Sequence, residues 1–317
     1  MKLIIQIPCL NEATTLGAAL ATLPREVPGF DIVEWQVVDD GSTDNTATLA
    51  RELGVDYVIR HPVNRGLAAA FMTGINAALQ HGADVIVNTD ADNQYEAADI
   101  PLLVKPILEH RADMVIGARP IAQTEHFSWI KKQLQHLGSW AVRLASRTDV
   151  ADAPSGFRAI TRETAMRLNV FNAYTYTLET IIQTGLSNLR VMSIPIRTNP
   201  DLRPSRLVKS VPNYVKRSLV TILRVFVIYR PLPLFMWLSL FLMLVGIAVG
   251  ARYLAFLAMG DSSGHIQSLI LSALCIMLGA ISFMIGLLAD LISVNRRLME
   301  SINFRLQQKQ QNSRTSE

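Results

Sequence analysis

The sequence predicts an α/β unit, built on a mostly parallel sheet with helices on both faces, followed by a hairpin of two membrane-spanning helices. Short β-branched runs alternate with helical stretches over residues 1 to about 120, and such alternation marks a parallel sheet covered on both sides. Two uncharged apolar segments follow, 20 residues from Leu232 to Ala251 and 23 from Ile266 to Leu288. At about 1.5 Å rise per residue each crosses a hydrocarbon core of roughly 30 Å. Finally, polar clusters stand at the carboxyl ends of four expected strands, where open parallel sheets bind ligands.

In chain order, "KLIIQIP" reads as a strand and a helix begins near Glu12. "IVEWQVV" is a second strand, and "GSTDNTATLARELG" a helix capped by Ser42 or Asp44 and stopped by Gly54. "DYVIRH" leads to the helix "RGLAAAFMTGINAALQHG". "ADVIVNTD" leads to a helix over about 98–110, and "DMVIGAR" closes the run. Further on, "FSWIKKQLQHLGSWAVRLASR" sets Trp129, Ile130, Leu134, Leu137, Trp140 and Leu144 near one helical stripe. "VPNYVKRSLVTILRVFVIYR" places Lys216, Arg217 and Arg224 opposite Val215, Leu219, Ile222 and Phe226, as a helix on a bilayer surface would. The expected organisation is a domain over 1–210, an interfacial helix over 211–230, spans at about 232–254 and 266–289 within 231–292, and a basic, Gln-rich tail over 293–317. From about Leu306 the tail's composition predicts disorder.

Charge orients the hairpin. Lys216, Arg217, Arg224 and Arg230 precede the first span, Arg296, Arg297 and Arg305 follow the second, and the connection "GDSSGH" holds no Lys or Arg. The positive-inside rule then puts both flanks, and both termini, in the cytoplasm. Arg252, near the outer end of the first span, reaches the interface by snorkelling. The isoelectric point of 9.2 reflects basic residues clustered beside the spans, where anionic lipid rather than nucleic acid is the expected partner. Cys9 and Cys275 are not expected to pair, as suits a reducing compartment. "MKLIIQIPCLNE" is too short and too soon acidic for a signal peptide.

The strand-end clusters are "PCLNE", "DDGSTD", "TDADNQ" and "GAR", and four in order point to one shared cleft. In "VNTDADNQYE", Asp90, Asp92 and Gln94 share one face of an extended segment. There is no GxGxxG and no GK[ST], so phosphates have no ready backbone cradle. Their charge falls to a metal and to arginines. Hard oxygens on Asp90, Asp92 and Gln94 suit Mg²⁺ or Mn²⁺, which bind through one or two carboxylates plus substrate phosphate oxygens. Arg119 either anchors a phosphate or pairs with a strand-end carboxylate. The histidines show no metal-ligand spacing.

Taken together, "PCLNE", "VVDDGSTDNT", "NRG", "NTDADNQ" and "SGFRA" resemble the family 2 glycosyltransferases of the GT-A, Rossmann-like fold. With two C-terminal spans, the chain is similar to the polyprenyl-phosphate glycosyltransferases, the bactoprenol glucosyltransferase and dolichol-phosphate mannosyltransferase group. The resemblance covers roughly 1 to 210 and, more loosely, the hairpin. It implies that Pro8, Asn11, Glu12, Asp39 and Asp40, with Asp90, line the nucleotide, and that Asp90, Asp92 and Gln94 hold the metal and diphosphate. Asp152 falls where the family has an acid/base or acceptor-positioning carboxylate. Arg203 and Arg206 match a basic phosphate-contacting motif, although Pro204 and Ser205 replace the usual Gly before a Ser/Thr–Lys pair. The implied catalytic set is Asp92, Asp152, Arg203 and Arg206.

The implied activity is inverting transfer of a sugar from a nucleotide diphosphate to polyprenyl (undecaprenyl) phosphate, on the cytoplasmic face of a bacterial inner membrane. Such a product would serve cell-envelope or O-antigen glycosylation. UDP-glucose is the first expectation for the donor, with UDP-N-acetylhexosamine, a modified UDP-pentose and GDP-mannose behind it. The resemblance also implies a homo-oligomer, a tetramer. An acceptor phosphate has a second pKa of about 6 and is largely dianionic at neutral pH, so Asp152 is expected to position it rather than deprotonate it. A processive polysaccharide synthase would carry Q-x-x-R-W, and no tryptophan here follows an arginine. A non-catalytic membrane scaffold would not need the intact set Asp39, Asp90, Asp92 and Gln94.

Overall fold

Seven strands form a single sheet in the order β3-β2-β1-β4-β6-β5-β7. In the computed structural model residues 1–120, 140, 142–144, 146, 148–170, 176–200, 220, 223–224, 226–259 and 266–315 are described. The chain divides into two units, Met1–Ile222 with Glu300–Glu317, and Leu223–Met299.

Through residue 118 the elements alternate as expected: β1 (Lys2–Cys9), α1 (Leu16–Thr22), β2 (Ile32–Asp39), α2 (Thr46–Glu52), β3 (Tyr57–Arg60), α3 (Leu67–Gln80), β4 (Val85–Asn88), α4 (Ile100–Leu108) and β5 (Met114–Ala118). β1 pairs in parallel with β2 and β4, so Leu3, Ile5 and Ile7 meet Val37, Val85 and Val87 in one buried layer. The α2 start differs from expectation. Asn45 takes the N-cap place without a side-chain cap bond, while Asp44 Oδ1 accepts from Thr46 N at 3.0 Å. Ser42 is not a cap because its hydroxyl is turned to Asn11 N at 2.8 Å. Gly54 does stop the helix, at φ 76°, a left-handed value that favours glycine.

Between residues 148 and 200 the expectation held no elements, and four occur: β6 (Arg158–Thr161), α5 (Arg162–Arg167), α6 (Thr177–Leu186) and β7 (Val191–Pro195). β6 is too short for a clean alternation and carries a charged residue. It inserts antiparallel between β4 and β5, with Arg158 opposite Asn88 on one side and Ile116 on the other. Because it runs against its neighbours, the start of β6 lies at the edge where β4 and β5 end. That reversal delivers "SGF" to the cleft.

In the second unit, α7 (Pro231–Ala258) and the stretch Ile266–Arg296 of α8 (Ile266–Thr315) are strongly apolar, and of their most apolar 18 residues only 11% and 17% are buried. Helices apolar on every face and so little covered by protein are not the core of a soluble fold. Both are long and apolar enough to cross a membrane. They approach closely through small residues: a Cβ on Gly246 would lie 2.7 Å from Ile276 Cγ1, and one on Gly279 2.8 Å from Met243 Cγ. Ser272 Oγ donates to the Gly246 carbonyl at 2.7 Å, a hydrogen bond of the kind that joins helices in lipid.

The tail expected to be disordered instead continues α8 (Ile266–Thr315) as helix. Gly286 is its last glycine and no proline interrupts it, while Leu, Met, Glu, Lys, Arg and Gln are strong helix formers. Most of the stretches 127–147 and 211–230, read as amphipathic, lies outside the described residues, as do Arg203 and Arg206.

Candidate active site

The first two strand ends are stitched together. The Asn11 backbone N donates to Ser42 Oγ at 2.8 Å, and Asn11 Oδ1 accepts from Thr43 N at 2.9 Å. Asn11 adopts φ 55°, a conformation that asparagine tolerates better than most residues. Glu12 N donates to Thr46 Oγ1 at 2.9 Å, and Glu12 Oε2 accepts from Thr15 Oγ1 at 2.8 Å. Pro8 is buried in β1 opposite Val38.

Asp39 and Asp40 have different surroundings. Asp39 Oδ1 accepts from Ser42 N at 3.0 Å, and Oδ2 lies 3.2 Å from Arg60 Nε. Asp40 reaches the "NRG" turn: Oδ1 accepts from Arg65 N at 3.0 Å and sits 2.6 Å from His61 Nδ1, and Oδ2 accepts from Gly66 N at 2.8 Å. Asp40 is thus occupied in holding the neighbouring loop, whereas Asp39 is held by Ser42 and Arg60. Gly41 makes that packing possible. A Cβ there would lie 2.6 Å from the Val63 carbonyl carbon.

After β4 the chain turns through Thr89 to Gln94, with Asn93 at φ 58° and Gln94 N donating to Asp92 Oδ1 at 3.1 Å. Asn199 clamps the turn from outside: its backbone N donates to Gln94 O at 2.8 Å and its Nδ2 to Asn93 O at 3.1 Å. Burial, reinforced by the negative charge of Asp92, pushes the Asp90 carboxyl up to about 7, while Arg119, Arg158 and a hydrogen bond from Tyr95 oppose the rise. Tyr95 is itself pushed up to about 12 by burial and by Asp90.

Convergence shows most clearly at Cys9. Burial raises its thiol well above the usual range, and Glu12, Asp39, Asp90 and Asp44 all raise it further. The geometric reason is that β1 pairs in parallel with both β2 and β4, so the strand ends that lead to Glu12, Asp39 and Asp90 lie side by side at one edge of the sheet. On the far side, Arg119 closes on Asp152 through Nε at 2.7 Å and Nη2 at 3.1 Å. Although burial alone would lower it, Tyr95 and Asp152 hold the Arg119 guanidinium above its ordinary value.

The sequence reading missed the floor of this cleft, formed by Asn88, Tyr95, Gly156, Arg158 and Tyr176. "SGFRA" stood out only as a motif, and nothing in its spacing announces an antiparallel strand or the tyrosines that meet it. Among the described residues no three His, Cys, Asp or Glu side chains form a ready-made metal cage. Asp90 and Asp92, close enough for one to raise the other, with the Gln94 amide, are a partial set of hard oxygens. Such a set fits Mg²⁺ or Mn²⁺, whose remaining positions go to water and substrate phosphate.

The profile of "Glycosyl transferase family 2" matches residues 4–174. Two relatives are an undecaprenyl-phosphate mannosyltransferase of Micrococcus luteus, 28% identical over 62% of this chain and 83% of its own, and a UDP-N-acetylglucosamine–dolichyl-phosphate N-acetylglucosaminyltransferase of Methanococcus voltae, 29% identical over 61% and 83%. Among solved structures, glucosyl-3-phosphoglycerate synthase of Mycobacterium tuberculosis, in complex with Mn²⁺, UDP and glucosyl-3-phosphoglycerate, shares the fold at a TM-score of 0.52 and 22% identity, over 70% of this chain and 79% of that one.

Proposed function

This chain belongs to glycosyl transferase family 2, and from that premise we propose that it transfers a hexose from a nucleotide diphosphate to the phosphate of a polyprenyl lipid at a membrane surface. One observation carries the reading: a single chain joins carboxylates at the ends of neighbouring parallel strands to two helices long and apolar enough to cross a membrane. Relatives named for undecaprenyl-phosphate and dolichyl-phosphate acceptors support the lipid acceptor.

Transfer is an inverting displacement. An acceptor phosphate oxygen attacks the anomeric carbon, the bond from that carbon to the diphosphate breaks, and its electron pair leaves on the diphosphate. Pro8, Asn11, Glu12 and Asp39 line the nucleoside, and Asp40 keeps the adjoining "NRG" turn in place. Asp90, Asp92 and Gln94 would hold Mg²⁺ or Mn²⁺, which when bound would offset the charge that builds on the leaving diphosphate. The Mn²⁺ and UDP bound by the mycobacterial synthase are consistent with this chemistry. Asp152, both of whose oxygens accept from Arg119, orients the acceptor and takes no proton. Arg203 and Arg206 meet its phosphate.

UDP-glucose is the donor we favour, ahead of UDP-N-acetylhexosamine, a modified UDP-pentose and GDP-mannose. The catalytic unit faces the cytoplasm at a bacterial inner membrane, and the lipid-linked sugar feeds envelope glycosylation. The test is to offer the purified full-length protein a panel of labelled nucleotide sugars with undecaprenyl phosphate and Mg²⁺ or Mn²⁺. Label should enter a lipid extract. Hydrolysis alone, or transfer only to water-soluble acceptors, would rule the lipid acceptor out.

A further inference from the structure

Beneath Asp90 lies one glycine held from every side. Gly156 is buried, and its N–H donates to the Tyr95 hydroxyl at 2.9 Å while its carbonyl accepts from Asn88 Nδ2 at 2.9 Å. Asn88 stands two residues before Asp90 and Tyr95 five after it, so the metal-side loop grips this peptide with both flanks. Asn88 Nδ2 also donates to the Tyr176 hydroxyl at 2.9 Å, and Asn88 Oδ1 accepts from Gln6 Nε2 at 2.9 Å. Every hydrogen-bonding position on the Asn88 donor group is therefore used, and a buried amide so satisfied fixes geometry. Phe71 stacks on the Tyr176 ring at 3.9 Å.

A second tie runs alongside the first. Arg158 is fully buried, and its guanidinium donates to the Ser155 carbonyl and, at 3.1 Å, to the Thr177 carbonyl. Asn88 thus links Gly156 to Tyr176 while Arg158 links their neighbours Ser155 and Thr177. The loop carrying Asp152 is locked in this way to the loop carrying Asp90.

Gly156 does not adopt the left-handed conformation, so its backbone alone would accept a larger residue. What it lacks is room: a Cβ would lie 2.9 Å and 3.0 Å from the two Asp90 carboxylate oxygens and 3.0 Å from the Tyr176 hydroxyl. We infer that Asn88 and Tyr176 are positioning residues that press the Gly156 peptide against Asp90 and so set the direction its carboxylate presents to the metal. This rests on the reading of Asp90 and Asp92 as the metal site.

The experiment measures Mn²⁺ binding to the full-length protein with UDP present, by titration and by the electron paramagnetic resonance spectrum of the bound ion. Tyr176→Phe removes one hydroxyl, a change that typically moves an equilibrium about fivefold, and it should weaken Mn²⁺ by about that factor. Gly156→Ala should weaken it more and alter the Mn²⁺ spectrum, because the methyl group must turn the carboxylate. If Gly156→Ala fails to fold, Tyr176→Phe decides alone. Affinity and spectrum unchanged in the folded variants, while Asp92→Asn loses the ion, would overturn the inference and leave the metal site standing. Mn²⁺ binding in Asp92→Asn equal to wild type would instead sink the metal site itself. A lowered melting temperature in Tyr176→Phe with unaltered Mn²⁺ binding would also overturn the inference, since it would make the hydroxyl merely structural.

Discussion

Arg119 and Asp152 form a two-pronged pair beyond the end of β5, in which Nε donates to Oδ2 at 2.7 Å, Nη2 to Oδ1 at 3.1 Å, and the Arg119 backbone N to Oδ2 at 3.3 Å. The carboxylate is 1% exposed and the guanidinium 18%. A carboxylate gripped this way is oriented and charge-balanced, and it is poorly placed to accept a proton from substrate. Asp152→Asn should therefore slow transfer while metal-dependent donor binding stays within about twofold of wild type. The residual rate of the mutant, followed from about pH 6 to 9, should track the wild-type profile. A rate that climbs with pH only in the mutant would restore Asp152 as a base, since the acceptor would then depend on its own ionisation.

Asp92→Asn tests the other side of the cleft. Removing one stabiliser of developing charge commonly costs about 10²–10³ in rate, and metal-dependent donor binding should weaken as well. Isothermal titration of UDP with and without Mn²⁺ reads the second effect directly. Equal binding in mutant and wild type would remove Asp92 from the metal.

Asp90 makes the metal-free protein sensitive to pH. Its carboxyl is raised from 3.8 to about 7, by burial first and by Asp92 second. Between those values the folded chain keeps a proton that the unfolded chain has released, so this group's contribution to stability falls as pH rises towards 7. Metal-free wild type should lose melting temperature between about pH 5 and 7.5 more steeply than Asp90→Asn. Mn²⁺ uptake should release a proton below about pH 7, so affinity should rise with pH and then level off. Parallel slopes in wild type and Asp90→Asn would refute this assignment.

Arg206→Ala should depress transfer to the lipid phosphate and leave nucleotide affinity nearly intact, because the basic stretch from Arg203 to Arg224 adjoins the first apolar helix in sequence. Measuring the KM for undecaprenyl phosphate and the Kd for UDP in the same variant separates the two substrates. A loss confined to UDP would assign this arginine to the donor.

Reporter fusions at residue 317 and within Gly260–Gly264 should label opposite sides of the membrane, with the C-terminus cytoplasmic. The asymmetry of Lys and Arg about the apolar helices is the reason. A tip found on the cytoplasmic side would leave the catalytic unit unable to meet a lipid phosphate there.

The sequence by itself determined the alternating half of the sheet, the two apolar helices and the acidic strand ends. These are local properties: periodicity, length and composition act within a window of a few turns. The strand-end places of Asp39, Asp90 and Asp92 were legible because parallel strands all present their carboxyl ends at one edge. Only the tertiary structure decided what meets those ends. It placed β6 antiparallel between β4 and β5, and it turned Arg119 towards Asp152. It also gave Asp40 to the "NRG" turn and drew Asn88, Tyr95 and Tyr176 around Gly156. Each of these contacts joins residues far apart in the chain, by 88 positions for Asn88 and Tyr176. Their partners are fixed by which strands become neighbours, and no local pattern encodes that choice. The physical reason is burial: a polar group enclosed by the fold must find its partner wherever packing has put one.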